Sequence, residues 1–347
     1  MISAEMARIA SLIVHKTGSP ASGEEVVLSR QPVKADPVVS QLLLKYFFSP
    51  FQNEEYYQFF HPSGLDIHQM YQHVRAIFSD PECLYEKSVY IAQHLFHSSN
   101  HPKIKSGELY LAYMHNCIID GESTDAIGIF KSESKETYLK IHPKAGGFEL
   151  NSEEGINLKK LDKGCIVFNV EKEDGYLLVQ VDNLSKQAEA RYWVDDFLGI
   201  SQRQNNYYQT HNTLELCKDF VDGQLSKDFE VSMLDKSEIL ARSARYFKEK
   251  DTFNLSDFTQ EVLQQPEVVE AFENYKSDFE VKNDLQLEEE FDISGSAVKK
   301  QARFFKSVIK LDKNFHVYVH GNRERIERGY DSTRDLHFYR LYFEQES

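Results

Sequence analysis

The sequence has few cysteines and no long hydrophobic segment, and both absences narrow the kind of protein that it encodes. Its four cysteines, at positions 83, 117, 165 and 217, lie far apart, without the C-x-x-C spacing of metal or redox sites. We therefore expect buried, reduced thiols in a cytoplasmic protein. The apolar runs are much shorter than the roughly 20 residues that a membrane-spanning helix needs. The amino terminus also lacks the basic leader and apolar core of an export signal, so we expect a soluble chain with no membrane contact.

Two common catalytic motifs are missing as well. The sequence contains no G-x-x-x-x-G-K-S/T segment, which excludes a nucleotide site of the usual phosphate-loop kind. It contains no G-x-S-x-G segment either, which excludes the simplest serine hydrolase. No pattern of residues indicates a cofactor, and we expect none.

The nearest approach to a metal site is the histidine group His94, His97 and His101. On one helix these positions would share a face, and imidazole nitrogens bind transition metals. The segment before His101 is Ser-Ser-Asn and a proline follows it, which is typical of a helix end. We therefore favour histidines at a solvated helix terminus, where positive charge complements the helix dipole. A metal-dependent enzyme using this group is kept as an alternative.

A break near residue 200 divides the chain, which at 347 residues is long for a single hydrophobic core. Residues 191–198 carry apolar side chains near helical spacing, and Gly199 stands where a helix end favours glycine. Residues 201–206 are all polar, which indicates a linker. Asn212, three residues before a glutamate, has the spacing of a capping box at the start of a new helix.

We predict two domains, residues 1–205 and 206–347, with an α+β fold. The first domain is expected to hold an antiparallel sheet with helices. Its strands include a hairpin around Asp120-Gly121 with some extra loop, and a second hairpin around Asp174-Gly175, an Asp-Gly pair that type I′ turns favour. The second domain is expected to be mainly helical and to carry a small antiparallel sheet near its end.

The net charge of −15 is distributed unevenly along the chain. Residues 1–205 have a balance of −7, residues 206–294 have −12, and residues 295–347 have +4, with 11 basic and 7 acidic side chains. Duplex DNA attracts cations and repels carboxylates, so the total alone argues against DNA binding. The Debye length at physiological salt is about 8 Å, however, so a local basic patch can act partly independently of distant carboxylates.

The basic side chains of this last segment form the candidate DNA-binding site. They are expected along one side of a helix opened by SGSAVKKQARFF and in a later connection between two strands, and they are Lys299, Lys300, Arg303, Lys306, Arg323, Arg325 and Arg328. Lysine and arginine side chains bind phosphate oxygens, and these contacts do not depend on the base sequence. The alternative is that they neutralise acidic helices of the same domain, since ion pairing is a common fate of mixed surface charge.

The central segment also resembles a known family. The run WVDDFLG, a polar spacer and then N-x-L-x-x-x-x-x-F is similar to the middle of the bacterial nucleoid-associated protein family, the large kind unrelated to the small histone-like proteins. The likeness extends along most of the chain, through the early strand, the hairpins and the SGSAVKKQARFF segment.

The resemblance implies a non-enzymatic, DNA-associated protein of the cytoplasm and nucleoid. From the basic side chains of the C-terminal domain, we predict binding to double-stranded DNA largely without sequence specificity. An alternative is an acidic interaction scaffold that reaches the nucleoid through DNA-processing partner proteins, because a negative surface suits a basic partner. A homodimer is also left open, since no residue pattern specifies an oligomeric state.

Overall fold

The computed structural model describes residues 2–51, 55–184, 192–302, 308–311, 315–318 and 325–345. The chain divides into two compact units, Met1–Arg203 and Gln204–Ser347, here called unit 1 and unit 2. Both combine helices with antiparallel strands, so the predicted α+β fold class is confirmed. Within the described ranges, no helix is both long and apolar enough to cross a membrane.

Unit 1 is built around one large antiparallel sheet. Its strands are β1 (Ile2–Ser3), β2 (Arg8–Thr17), β3 (Tyr57–Phe59), β4 (Gly107–Ile119), β5 (Glu122–Ser132), β6 (Glu136–Lys144), β7 (Gly147–Gly155), β8 (Lys163–Phe168), β9 (Leu177–Asp182) and β10 (Ile200–Gln202). Its α-helices are α1 (Pro37–Phe48), α2 (Gln69–Ser79) and α3 (Leu84–Ser98), and Tyr192–Leu198 forms a π-helical segment. The sheet order is β1-β4-β5-β8-β9-β3-β10, with β2 also paired to β4, while β6 and β7 form a separate hairpin.

The large sheet is covered on both faces. Along β4, Leu109 and Leu111 belong to a core shared with α2, α3 and the π-helical segment. The alternate residues Tyr110 and Ala112 belong to a second core with the aromatic end of α1. Successive strand residues point to opposite faces, so a sheet buried on both sides needs apolar residues at nearly every central position.

The two predicted hairpins differ in their turns. Asp120 and Gly121, with φ of 49° and 87°, directly join β4 to β5, so the first hairpin has a tight Asp-Gly turn and no extra loop. The second hairpin is not a two-residue type I′ turn, because a 3-10 turn over Lys172–Asp174 precedes Gly175. A Cβ at Gly175 would lie 2.4 Å from the Phe59 carbonyl oxygen, so the approach of β3 requires a glycine there.

Unit 2 is mainly helical and has a phenylalanine-rich core. Its helices are α4 (Asn206–Asp219), α5 (Leu225–Asp228), α6 (Met233–Glu249), α7 (Leu255–Phe258), α8 (Pro266–Asn283) and α9 (Gly295–Gln301). Its strands are β11 (Thr252–Asn254), β12 (Glu290–Asp292), β13 (Val308–Leu311), β14 (Phe315–Tyr318), β15 (Ile326–Asp331) and β16 (Leu336–Leu341), paired as three antiparallel ribbons. The phenylalanines of its main core are Phe220, Phe247, Phe253, Phe258, Phe272, Phe279 and Phe291.

The segment that joins the two units is more ordered than predicted. The predicted linker is wrong at its start, because Ile200–Gln202 is strand β10, paired with β3. The capping box at Asn212 is also wrong. The helix begins at Asn206, and the side chain of Asn205 accepts a hydrogen bond from the Tyr208 backbone N–H. Asn212 instead donates its side-chain N–H to the Tyr208 carbonyl, one turn back inside the helix.

Candidate nucleic-acid interface

Helix α9 carries the first two basic residues of the candidate site, and its buried face fixes their direction. The Ser294 hydroxyl caps the helix by accepting a hydrogen bond from the Ala297 N–H at 3.4 Å. Ala297 and Gln301 are buried, and the Gln301 amide nitrogen lies 3.0 Å from His211 Nδ1 on α4. Ala297 and Gln301 are separated by four residues and therefore share one side of α9, which is its packed side.

Lys299 and Lys300 occupy the exposed side of α9. The Lys300 Nζ lies 5.6 Å from the centre of the Tyr207 ring, a cation–π distance. Tyr207 in turn stacks on His211, with 7° between the ring planes. Tyr207 and His211 were not predicted as neighbours of the basic helix, because they lie some 90 positions earlier in the chain and only the packing of α9 on α4 brings them together.

The ribbon β15–β16 holds the other described basic residues of the candidate site. Arg328 lies within β15 rather than in a loop connection, directly opposite Tyr339 of β16. Arg325 precedes β15, and its Nη2 forms an ion pair at 2.5 Å with Glu344 Oε1. Arg328 is exposed and has no ion pair with any described residue. Arg325 is thus paired with a carboxylate that follows β16 rather than with one of the acidic helices of unit 2.

Three predicted site residues, Arg303, Lys306 and Arg323, lie outside the described residues. The described positions fall on two parts of unit 2, with Lys299 and Lys300 on α9, Arg328 in β15 and Arg325 directly before β15. The structure thus describes two exposed groups of cations in unit 2.

The histidine group is not arranged as a metal site. His94 Nε2 lies 3.0 Å from the Phe197 carbonyl oxygen, and His97 Nδ1 lies 2.6 Å from the Gln93 carbonyl oxygen. His101 lies beyond the end of α3 at Ser98, as its sequence context predicts. Within the described ranges, no group of three or more His, Cys, Asp or Glu side chains could hold a metal ion.

Two ion pairs are buried in unit 1, and the sequence did not predict them. Lys131 pairs with Glu133 at 3.0 Å, and Lys163 pairs with Asp182 at 2.7 Å, with every one of these side chains less than a tenth exposed. Burial lowers the pKa of Lys131, and the neighbouring Glu133 partly opposes that effect. Buried charge needs such a partner. Glu133 lies two residues after Lys131 in the sequence, whereas Asp182 lies opposite Lys163 on the neighbouring strand β9.

Unit 2 also has an acidic cleft of about 310 Å³ beside α8. The acidic side chains that line it are Asp228, Glu267, Glu270 and Asp278. They give this part of unit 2 the opposite charge to α9.

The family model described as nucleoid-associated protein YejK matches residues 13–336 of the chain. Among curated proteins, no sequence matches the chain. The family match extends across both units and includes α9 and β15, where Lys299, Lys300 and Arg328 lie. The chain therefore belongs to the nucleoid-associated protein YejK family.

Proposed function

We propose that this protein binds double-stranded DNA in the nucleoid, largely without reading the base sequence, through basic side chains of unit 2, and that it performs no catalysis. The observation that carries the proposal is that Lys299 and Lys300, consecutive residues of α9, are both exposed. They lie in the carboxyl-terminal segment, where basic side chains outnumber acidic ones. Family membership supports the nucleoid as the setting.

The electrostatics of unit 2 support contacts with the phosphate backbone. Exposed lysines neutralise phosphates and release condensed counterions, which gives binding a strong dependence on salt. Contacts of this kind position a protein on the duplex but carry no sequence information. Because salt screens exposed charges beyond about 8 Å, the remaining negative charge of the chain weakens such contacts without abolishing them.

The test is a salt-titrated binding curve with two unrelated duplex sequences and the intact chain. In the variant K299E/K300E, we expect weaker binding to both duplexes. We also expect the slope of log affinity against log salt concentration to fall by about 2, or roughly one for each phosphate that the variant no longer neutralises. A change confined to one duplex would contradict the absence of sequence reading.

The matched control is K227E/K282E, which reverses two exposed lysines of α5 and α8 and changes the net charge by the same amount. We expect the control to keep most of the affinity and the slope of the unmodified protein. Equal losses in both variants would show that total charge, rather than the α9 surface, governs binding. Unchanged affinity and slope in K299E/K300E would overturn the assignment of the site.

A second candidate function is supported by the acidic cleft beside α8. Its four carboxylates suit a basic DNA-processing protein, through which this chain would reach the nucleoid indirectly. The test is a pull-down with the intact chain after exhaustive nuclease treatment, repeated with E267K/E270K. Partners that survive nuclease and are lost in this variant would favour the scaffold. Loss of all partners under nuclease would contradict it.

A further inference from the structure

The ribbon β15–β16 pairs with no other described strand, and its register runs from Ile326 opposite Leu341 to Asp331 opposite Leu336. Directly opposed residues of an antiparallel pair point to the same side, and successive residues of one strand point to opposite sides. The side here called the tyrosine face therefore carries Ile326, Arg328, Tyr330, His337, Tyr339 and Leu341. The opposite face carries Glu327, Gly329, Asp331, Leu336, Phe338 and Arg340.

The opposite face of the ribbon is occupied by contacts among its own side chains. Arg340 Nη1 lies 3.4 Å from Glu327 Oε2, and the Arg340 guanidinium lies 5.6 Å from the centre of the Phe338 ring. The Phe338 ring in turn fills the space over Gly329, where a Cβ would collide with it. The Tyr342 hydroxyl, just past the end of β16, also donates to Glu327 at 2.8 Å. The charges and rings of this face thus contact one another.

The tyrosine face presents its rings and its charge to water. Tyr330 is 53% exposed, and Arg328 and His337 are exposed as well. The centres of the Tyr330 and His337 rings lie 5.2 Å apart, and the Tyr330 hydroxyl donates to the Asp335 carboxylate of the turn. Arg328 lies opposite Tyr339. None of the six residues of this face is acidic, so its permanent charge is positive.

Exposed rings beside an arginine form a surface that suits an unpaired nucleic-acid strand. Bases of every kind stack on aromatic side chains, while arginine binds phosphate and also stacks on bases. Residues on one face of a strand repeat at about 6.8 Å, a spacing that lets neighbouring nucleotides of an extended strand contact successive side chains. In a duplex, each base is stacked between its neighbours and shows only its edges in the grooves. The rings of this face therefore have bases to stack on where a strand is unpaired.

We propose that the tyrosine face binds single-stranded DNA, with Tyr330 and Tyr339 stacking on unpaired bases and Arg328 binding the phosphate backbone. Charge complementarity favours this partner over an apolar protein surface, because an apolar surface would bury Arg328 without a counterion. The site is separate from Lys299 and Lys300 on α9, which carry the proposed contact with duplex DNA. It rests on the proposed function only in that both place DNA on unit 2, and each site is tested by its own substitutions.

The test compares two ligands with the intact chain, an oligothymidine of about 12 nucleotides and a duplex of the same length. We expect Y330A/Y339A to bind the oligothymidine at least about tenfold more weakly, because each stacked base adds several-fold to the affinity. Its affinity for the duplex should stay within about twofold of the wild type, since paired bases do not stack on these rings. Y330F/Y339F keeps both rings and should keep most of the affinity for the oligothymidine.

The matched control is Y342A, compared with Y330A. Each substitution removes one exposed tyrosine ring of the same ribbon, 45% exposed at Tyr342 and 53% at Tyr330, but from opposite faces. We expect the affinity for the oligothymidine to fall several-fold in Y330A and to stay unchanged in Y342A. Equal losses in these two variants would overturn the assignment of the tyrosine face. So would a loss in Y330F/Y339F as large as that in Y330A/Y339A.

A tryptophan in place of Tyr330 reports stacking directly and keeps a ring in the ribbon. In Y330W, we expect the oligothymidine to quench the emission of the new indole and the duplex to leave it unchanged. The buried Trp193 gives a constant background. Binding of the oligothymidine without quenching, or equal quenching by the duplex, would contradict stacking on unpaired bases.

The outcomes separate this site from the one on α9. Added to Y330W, the substitutions K299E/K300E should weaken duplex binding and still leave quenching by saturating oligothymidine. Unchanged duplex binding in K299E/K300E would count against the proposed function alone. A wild-type chain that does not bind the oligothymidine would overturn the site on the tyrosine face alone.

Discussion

The ring of His68 joins the start of α2 to the end of the π-helical segment, because its Nε2 lies 2.7 Å from the carbonyl oxygen of Gly199. Its Nδ1 accepts a hydrogen bond from the Tyr71 backbone N–H at 3.1 Å and so caps α2. One nitrogen accepts, so the other carries the proton and donates to Gly199. A neutral histidine thus connects the start of α2 to the residue that follows the π-helical segment.

Replacing Gly199 with alanine should destabilise unit 1 by roughly 2–4 kcal/mol. Gly199 has a φ of 63°, and a Cβ there would lie 2.5 Å from His68 Nε2, so the substitution introduces both backbone strain and a steric clash. Urea unfolding followed by the fluorescence of Trp193, the only tryptophan of the chain, measures the stability of unit 1.

The control for this prediction is Gly23→Ala. Gly23 has a similar φ of 68°, but no atom lies within 4 Å of its added Cβ, so only the strain of about 1 kcal/mol should remain. Equal losses at the two positions would show that the contact with His68 contributes nothing.

Unit 1 should lose stability as the pH falls below about 6.5, the ordinary pKa of histidine. Burial lowers the pKa of His15 and of His68, and each ring accepts a backbone N–H at Nδ1, from Ser29 and Tyr71 respectively. As the pH falls, these two histidines therefore bind protons at a higher pH in the unfolded chain than in folded unit 1. For each histidine, the free energy of unfolding should fall by at most about 1.4 kcal/mol per pH unit. The fall ends once the pH lies below the pKa of that histidine in the folded state.

The variant His68→Asn isolates one of these contributions. Asparagine still offers an oxygen to cap α2 but does not titrate in this range. We expect a shallower fall in unfolding free energy between pH 6.5 and 5 than in the wild type. An unchanged pH dependence would mean that His68 contributes no proton uptake on unfolding.

The buried pair Lys163 and Asp182 should behave as a coupled unit. Lys163→Met or Asp182→Leu alone leaves one buried charge without this partner, which should destabilise unit 1 by about 3–5 kcal/mol. The double variant replaces both charges with apolar side chains and should lose less than either single variant. The double-mutant cycle is measured by urea unfolding of the wild type, the two single variants and the double variant. If the losses of the single variants add up to the loss of the double variant, the coupling is contradicted.

Removing the partner of Arg325 should strengthen DNA binding, if the proposed function holds. Glu344→Gln eliminates the carboxylate that pairs with Arg325, which would then be available to a phosphate. We expect an affinity gain of a few-fold and a salt slope steeper by about 1. Glu267→Gln removes the same charge from the acidic cleft and serves as the control. Equal effects of the two substitutions would assign the gain to net charge alone.

Local sequence patterns predicted the elements whose structure depends on nearby residues. The Asp120-Gly121 turn and the helix end at Gly199 follow from backbone conformations that favour these residue types. Strand β7 was not predicted, because residues 147–155 contain no run of β-branched or aromatic side chains, and only pairing with β6 makes them a strand. Strand β10 was missed for the same reason, since its partner β3 is more than 140 residues earlier.

The sequence by itself determined the α+β class, the uneven distribution of charge and the family, since these depend on composition, periodicity and local motifs. The tertiary structure alone decided which cations are exposed, as with Lys299 and Arg328, and which are paired, as with Arg325 and Lys163. It also decided that Tyr330 of the β15–β16 ribbon is exposed. Burial and ion pairing depend on distances between residues far apart in the chain, and those distances exist only once the strands and helices have packed.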